Sequence, residues 1–224
     1  MTAPDLLVCP ASGSDDEPFF AQMADDVRRR GYAVCPGALP LPLCEALLAQ
    51  LQVIPADGFE RAGVGREHNH TLNRFVRSDE ICWITGESAA GREWLDWSAR
   101  LQRALNRQLL LGLFSFESHF AHYGPGDFYR KHLDAFRGQA NRVLSLVAYL
   151  NRGWQPDDGG ELLMYLDDEA QGETLKVVPA LGTVVVFLSE EFPHEVLPAQ
   201  RDRYSIAGWF RVNTSTAGRV DPPR

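Results

Sequence analysis

Apolar residues recur along this chain with two different periods, and the period changes near Phe114. Pro18 opens a stretch in which Phe19, Phe20, Met23 and Val27 fall at helical spacing, closed by Gly31. Tyr32-Ala33-Val34 reads as a short strand, and Leu43 to Leu51 is helical again after a proline-rich entry. Ser88 to Leu111 carries the longest helical pattern, with Trp94, Trp97, Leu101, Leu105 and Leu109 along one side, a stripe suited to packing on a sheet. Beyond Phe114 the spacing is that of strands broken by Gly, Pro and Asp turns: SFESHFAHY, RVLSLVAYL, ELLMYL, LKVVPA, TVVVFL and YSIAGWF. The pattern predicts an α+β chain, mainly β, in which supporting N-terminal helices cover a sandwich or jelly roll. Such a roll leaves a mouth between its inner faces where a ligand can sit.

Residues 1–17 read as a polar leader, 18–212 as a single domain and 213–224 as a loose tail poor in apolar residues. Between Pro55 and Arg77 the chain is glycine-rich and charged with no sustained period, which marks a long loop. With 224 residues, 45% of them hydrophobic, there is material for one sizeable core. The net charge of -8 disfavours nucleic acid as a partner. Cys9, Cys35, Cys44 and Cys82 are scattered without a CxxC pair, which fits a reducing, cytoplasmic setting better than a disulfide framework. No basic start precedes an apolar run, and no stretch approaches the roughly 20 apolar residues of a membrane helix, so no membrane association is expected.

The chemistry-bearing residues lie in the β half. His132 and Asp134 are two apart, and on a strand such a pair points the same way. With six histidines in the chain the spacing alone is weak, and a surface pair is the plain alternative. His194, in FPHEV after the apolar strand TVVVFLSEE, supplies a third donor from another strand, or else a satisfied core histidine. Two imidazoles and a carboxylate on one face of a metal leave positions open, the arrangement of non-haem iron(II) oxygenases. Arg203 and Ser205 share one strand face in RDRYSIAGWF, with Tyr204 and Ile206 on the other. An arginine pointing into a β core is costly unless it meets a carboxylate, and a bound dicarboxylate would satisfy it with Tyr149 donating a second hydrogen bond. The alternative is a rim arginine paired with a surface acid.

The ordered run YGPGDFYRKHLD, DDGGELLMY, FPHEV and RDRYSIAGWF resembles the prolyl 4-hydroxylase branch of the iron(II)- and 2-oxoglutarate-dependent dioxygenases, over about residues 115 to 212. Upstream, VRSDEICWITG is similar to a segment of the prolyl-hydroxylase-domain enzymes that act as oxygen sensors in animals, extending the likeness to about residues 30 to 212. The interval from Tyr123 to His132 is one residue shorter than in those sensors, and Ser205 follows the wider hydroxylase pattern RxS.

The resemblance implies a double-stranded β-helix with iron(II) on His132, Asp134 and His194. It implies 2-oxoglutarate held by Arg203, Ser205 and Tyr149 with its keto acid end near Tyr123, dioxygen as the other co-substrate, and ascorbate as a supporting reductant. Asp79, Arg142 and Trp209 fall where the sensors place groups near the protein substrate, and the Pro55–Arg77 loop matches their substrate-covering hairpin. His119 alternates onto the face of Tyr123 and joins this lining, whereas a second metal on His119, His122, His68 or His70 is not expected. Gly159 and Gly160 are expected to form a strand-entry turn. The implied reaction is hydroxylation of a prolyl residue of a protein coupled to decarboxylation of 2-oxoglutarate, with elongation factor Tu the protein associated with bacterial members of the group. Hydroxylation of free proline or another small molecule, and a jelly-roll binding module without catalysis, are the rival readings.

Overall fold

The computed structural model describes residues 16–62, 76–135, 141–167 and 172–213. Three helices appear where the helical spacing placed them: α1 (Glu17–Arg30), α2 (Leu41–Val53) and α3 (Ala89–Leu109). Pro18 sits in the first turn of α1, where its missing N–H costs nothing. Gly31 ends the helix in the left-handed region (φ 80°), its N–H closing on Val27 O at 2.9 Å. Ser88 caps α3 by accepting the Gly91 N–H at 2.9 Å.

Eleven strands follow among the described residues: β1 (Tyr32–Cys35), β2 (Glu60–Arg61), β3 (Glu80–Trp83), β4 (Leu113–Tyr123), β5 (Tyr129–His132), β6 (Arg142–Tyr149), β7 (Leu162–Tyr165), β8 (Thr174–Val177), β9 (Val184–Leu188), β10 (His194–Val196) and β11 (Arg203–Val212). They form a seven-stranded antiparallel sheet in the order β1-β9-β6-β11-β4-β3-β2 and a four-stranded one in the order β5-β10-β7-β8. The long strands match the period-2 segments of the sequence. The short segments β2, β3 and β5 carry no such alternation; pairing makes them strands.

The large sheet has two apolar faces with different tasks. One packs on the helices, where Phe120, Leu144, Leu146, Val184, Val186, Ile206 and Phe210 meet Trp94, Trp97, Leu101 and Leu105 of α3. Trp94 and Trp97 stack at 5.5 Å, Phe20 of α1 meets Trp97 edge-on at 5.4 Å, and Trp94 Nε1–H donates to Ser118 Oγ on β4 at 2.9 Å. The other face closes on the small sheet through Ala121, Tyr123, Tyr149, Val185 and Phe187 against Leu162, Met164, Val177 and Val196. Antiparallel register lines up the positions that matter on this inner face: Tyr123 opposite Arg203, and Ala121, Ser205 and Tyr149 in one row across β4, β11 and β6. The result is a mainly β jelly roll with supporting helices on its outer face. Among the described residues no helix is long and apolar enough to cross a membrane.

Candidate metal centre and oxo-acid pocket

His132 ends β5 and His194 begins β10, and the two are direct partners across the β5–β10 ladder. Asp134 reaches the same point differently from the expectation of two side chains on one strand face: β5 stops at His132, and Asp134 follows in a bend. What aims it is Ser145 on β6, paired with Ser189 just beyond β9. Ser145 Oγ donates to Asp134 Oδ2 at 2.6 Å and lies 2.9 Å from Ser189 Oγ, while Ala135 N–H bonds Ser189 O at 3.3 Å.

Asp134 Oδ1 is 3.7 Å from His132 Nε2, and Oδ2 is 3.8 Å from His194 Nε2. One ligand atom from each of the three residues lies within 4.8 Å of the others. His132 Nδ1–H donates to Arg130 O at 2.8 Å and His194 Nδ1–H to Phe192 O at 3.0 Å. A carbonyl only accepts, so each Nδ1 carries the proton and each Nε2 presents its lone pair toward Asp134. Burial pushes the His194 imidazole down to about 4, with His132 adding to the effect against the opposing pull of Asp134. Burial acts to raise the Asp134 carboxyl, but His194, His132 and the Ser145 hydrogen bond together hold it well below the usual carboxylate range. Two Nε2 atoms and a carboxylate are thus gathered as a donor set of the kind that binds a divalent metal.

The second cluster lies at the start of β11. Arg203 is 1% exposed, yet no carboxylate among the described residues pairs with it. Its Nε–H donates to Gly160 O at 2.8 Å and Nη1–H to Ser205 Oγ at 3.1 Å, and its Cζ lies 4.9 Å from the Tyr123 ring and 5.2 Å from the Tyr149 ring. The Tyr149 hydroxyl is buried without a hydrogen-bond partner among the described residues. Burial pushes that phenol up to about 12, and Arg203 opposes the rise without the geometry of a hydrogen bond. A buried guanidinium and an orphaned hydroxyl side by side are costly unless something anionic joins them. A carboxylate meets both needs.

Gly159, expected in a strand-entry turn, is a bridge partner of Ala199, and Gly160 lies against Arg203 on the way into β7. Its φ is 67°, and an added Cβ would come within 3.0 Å of Arg203 Cδ. Its carbonyl is also the Arg203 acceptor.

The residues assigned to the substrate side divide into two sets. Arg142, Trp209 and His119 lie together: Arg142 Cζ sits 3.6 Å over the Trp209 ring while its Nη2–H donates to Glu117 Oε1 at 2.8 Å, and the His119 ring lies 5.5 Å from Trp209 and 5.2 Å from Trp83. His119 Nδ1–H donates to Phe120 O at 3.1 Å. Burial pushes His119 down to about 4, helped by the Arg77 charge and opposed by Asp79. Asp79 stands apart, its side chain fully buried and both oxygens taken by Arg77 at 2.7 and 2.6 Å. His122 is engaged elsewhere, bonded to Asp202 at 2.8 Å and stacked on Tyr204. His68, His70 and most of the Pro55–Arg77 loop lie outside the described residues.

Sequence reasoning missed Ser145, Ser189, Glu117, Trp83 and Tyr129, and read Gly160 only as part of a turn. Ser145 was within reach of it, because 145, 147 and 149 alternate onto the face that Tyr149 occupies. Glu117 likewise shares the alternation of His119. Nothing local marks Tyr129 or Gly160.

The donor set fits iron(II) with positions left open, and the Arg203 pocket fits one end of an oxo-diacid. Comparison with known proteins agrees. Residues 118–211 match the family described as the 2OG-Fe(II) oxygenase superfamily. The chain is 28% identical over 162 residues to mouse prolyl hydroxylase EGLN3, a match covering 67% of this chain and 62% of the relative. It is 27% identical over 143 residues to human Egl nine homolog 1, covering 60% of this chain and 33% of that one. The chain therefore spans less than two thirds of these relatives. Among solved structures, a Pseudomonas putida prolyl-4-hydroxylase is similar with a TM-score of 0.77 and 43% identity, covering 86% of this chain and 98% of the other. A Trichoplax adhaerens prolyl hydroxylase in complex with a hypoxia inducible factor peptide shares the fold at a TM-score of 0.76 and 23% identity, covering 88% of this chain and 90% of that one. With near-complete coverage of a 43%-identical relative, and a donor set and carboxylate pocket suited to iron(II) and 2-oxoglutarate, the chain belongs to the 2OG-Fe(II) oxygenase superfamily.

Proposed function

We propose that this chain is a prolyl hydroxylase acting on a prolyl residue of a protein. The observation that carries the reading is the pairing of two sites: three ligand atoms within 4.8 Å of one another, and a buried Arg203 on the adjoining inner face that meets no carboxylate among the described residues. The 43% identity to a Pseudomonas putida prolyl-4-hydroxylase supports the prolyl target. Bound iron(II) with 2-oxoglutarate supplies the oxidising power that places one atom of dioxygen on a C–H carbon, the co-substrate leaving as succinate and CO2.

His132, Asp134 and His194 hold the metal, and Ser145 keeps the Asp134 carboxylate turned toward it. Arg203, with Ser205 and the Tyr149 hydroxyl, takes the far carboxylate of the co-substrate, which completes the hydrogen bonds of both buried donors. Tyr123, across the ladder from Arg203, borders the keto acid end. Arg142, Trp209 and His119, joined by Trp83 and Glu117, form the wall against which the prolyl residue and its neighbours are positioned, and exclusion of water there limits unproductive turnover. Asp79 contributes through Arg77, not by its own surface.

Elongation factor Tu is the protein substrate we assign within this reading, in line with the resemblance to bacterial members of the group. The test is mass spectrometry of purified elongation factor Tu after incubation with the chain, iron(II), 2-oxoglutarate and ascorbate. A gain of one oxygen on a proline, with equal succinate release, is the expected result. Succinate release driven by free proline, with none driven by the protein, would refute the protein substrate. No release with any substrate would reduce the chain to a binding module.

A further inference from the structure

Tyr129 belongs to neither cluster, yet it touches a metal-site residue across its whole ring. Its ring lies on the His132 imidazole with centroids 3.6 Å apart and planes 15° from parallel. Over the same phenol ring sits the Arg77 guanidinium, Cζ 4.3 Å from the centroid. Both groups occupy faces of one ring, so they lie on opposite sides of it. Arg77 is held in turn by its two short hydrogen bonds to Asp79, whose side chain is 0% exposed while that of Arg77 is 12% exposed. Burial works against the Arg77 charge, but the hydrogen bond and charge of Asp79 more than offset it.

The backbones beneath this column are tied as well. Arg77 and Tyr129 are bridge partners, Arg130 N–H bonds Val76 O at 2.8 Å, Ser78 N–H bonds Phe128 O at 3.1 Å, and Phe128 N–H bonds Ser78 Oγ at 2.9 Å. The segment leading into β3 is therefore docked on the strand that carries the first metal-site histidine.

A buried ion pair contributes little net stability, because the cost of desolvating both charges offsets their attraction. The worth of Asp79–Arg77 lies in where it puts the guanidinium. Among the described residues His132 has one hydrogen bond, from Nδ1–H to Arg130 O, which locates one ring atom; the His194 ring, tilted 57° to it at 4.3 Å, limits the imidazole plane only in part and leaves it freedom to turn. The Tyr129 stack removes that freedom.

We infer that Asp79, Arg77 and Tyr129 are positioning residues for the metal site: the ion pair seats Arg77 on one face of Tyr129, and the other face fixes the His132 plane with Nε2 toward Asp134. This deepens the proposed function and rests on its metal centre, while it takes Asp79 away from direct contact with substrate. The residues act on metal affinity without touching the metal, as groups that orient ligand histidines do.

The test uses the full chain, stripped of metal and titrated with manganese(II) or, without oxygen, with iron(II) in a calorimeter; the melting temperature of the metal-free form is measured alongside. Tyr129→Leu and the double variant R77M/D79N are expected to bind metal about 10-fold more weakly with unchanged metal-free melting, and to shift the visible band of the anaerobic iron(II)–2-oxoglutarate complex. Tyr129→Phe, which keeps the stack, is expected to match the parent chain. Tyr129 is only partly buried at the edge of the inner core cluster, where Leu keeps apolar cover, so the Leu variant decides the matter even if the double variant does not fold. Affinity of Tyr129→Leu within twofold of the parent would overturn the inference, and so would an equal loss in Tyr129→Phe. His132→Ala separates this from the larger claim: metal binding retained there refutes the centre itself, whereas loss there with none in Tyr129→Leu refutes only the positioning role.

Discussion

The two faces of the large sheet are built from the same strands and behave differently. On the helix side of β4, β6 and β11, Phe120, Leu144, Leu146, Ala148, Ile206 and Phe210 are fully buried and apolar, with every need met by packing. One residue along each strand, the other side carries Arg203 with no carboxylate and Tyr149 with no hydrogen-bond partner among the described residues, and His119 pushed down to about 4 by burial. Alternation lets one strand spend half its side chains on cohesion and half on chemistry. Polar groups left short on the inner face persist because the outer face supplies the stability they forgo.

That division makes separable outcomes. The largest effect is expected from His194→Ala or His132→Ala: loss of metal binding and of turnover, read by calorimetry and succinate release, with the melting temperature of the metal-free chain nearly unchanged. Arg203→Leu comes next. It removes a buried charge-assisted contact, so the 2-oxoglutarate concentration at half-maximal rate should rise about 1000-fold, while metal binding without co-substrate holds. On the helix side the expectation is reversed. Leu101→Ala opens a cavity under the sheet and should cost about 3 kcal/mol in urea unfolding, with the half-saturating 2-oxoglutarate concentration unaltered below the melting point.

The pH dependence of stability sharpens the contrast. The folded His119 value of about 4 lies below the ordinary 6.5, so between these the unfolded chain binds the proton and the folded one does not. The associated stability is complete above pH 6.5 and is lost as pH falls toward 4, by about 3 kcal/mol for this residue. His119→Phe should flatten that part of the profile, measured by urea midpoints across the range. The smallest effect is expected from Ser145→Ala, which frees Asp134 Oδ2 and should weaken metal binding about 10-fold with turnover persisting at high iron.

How much of this was legible depends on what enforces each feature. The three helices and the strands β4, β6, β9 and β11 announce themselves because burial on one face imposes a period on the sequence. The three metal residues and Arg203 were legible as a spaced set. Strand β5 was not, since Tyr-Arg-Lys-His shows no alternation and becomes extended by pairing with β10 and with Arg77. The bend that carries Asp134 was hidden for the same reason: the serine that aims it is eleven residues further along the chain. Asp79 carried a charge that looked available, and only the fold shows Arg77 closing over it. Pairwise contacts made in space leave no period to read.

One detail of the β5–β10 ladder reaches beyond catalysis. Because His132 and His194 face each other on a single rung, their approach is paid for during folding, before any ion arrives. A hole shaped in advance for two nitrogens and an oxygen has little means of refusing zinc or copper, which such donors grip more tightly than ferrous ions. Which metal loads this chain is thus decided by cellular supply, and the protein's own contribution is to be ready.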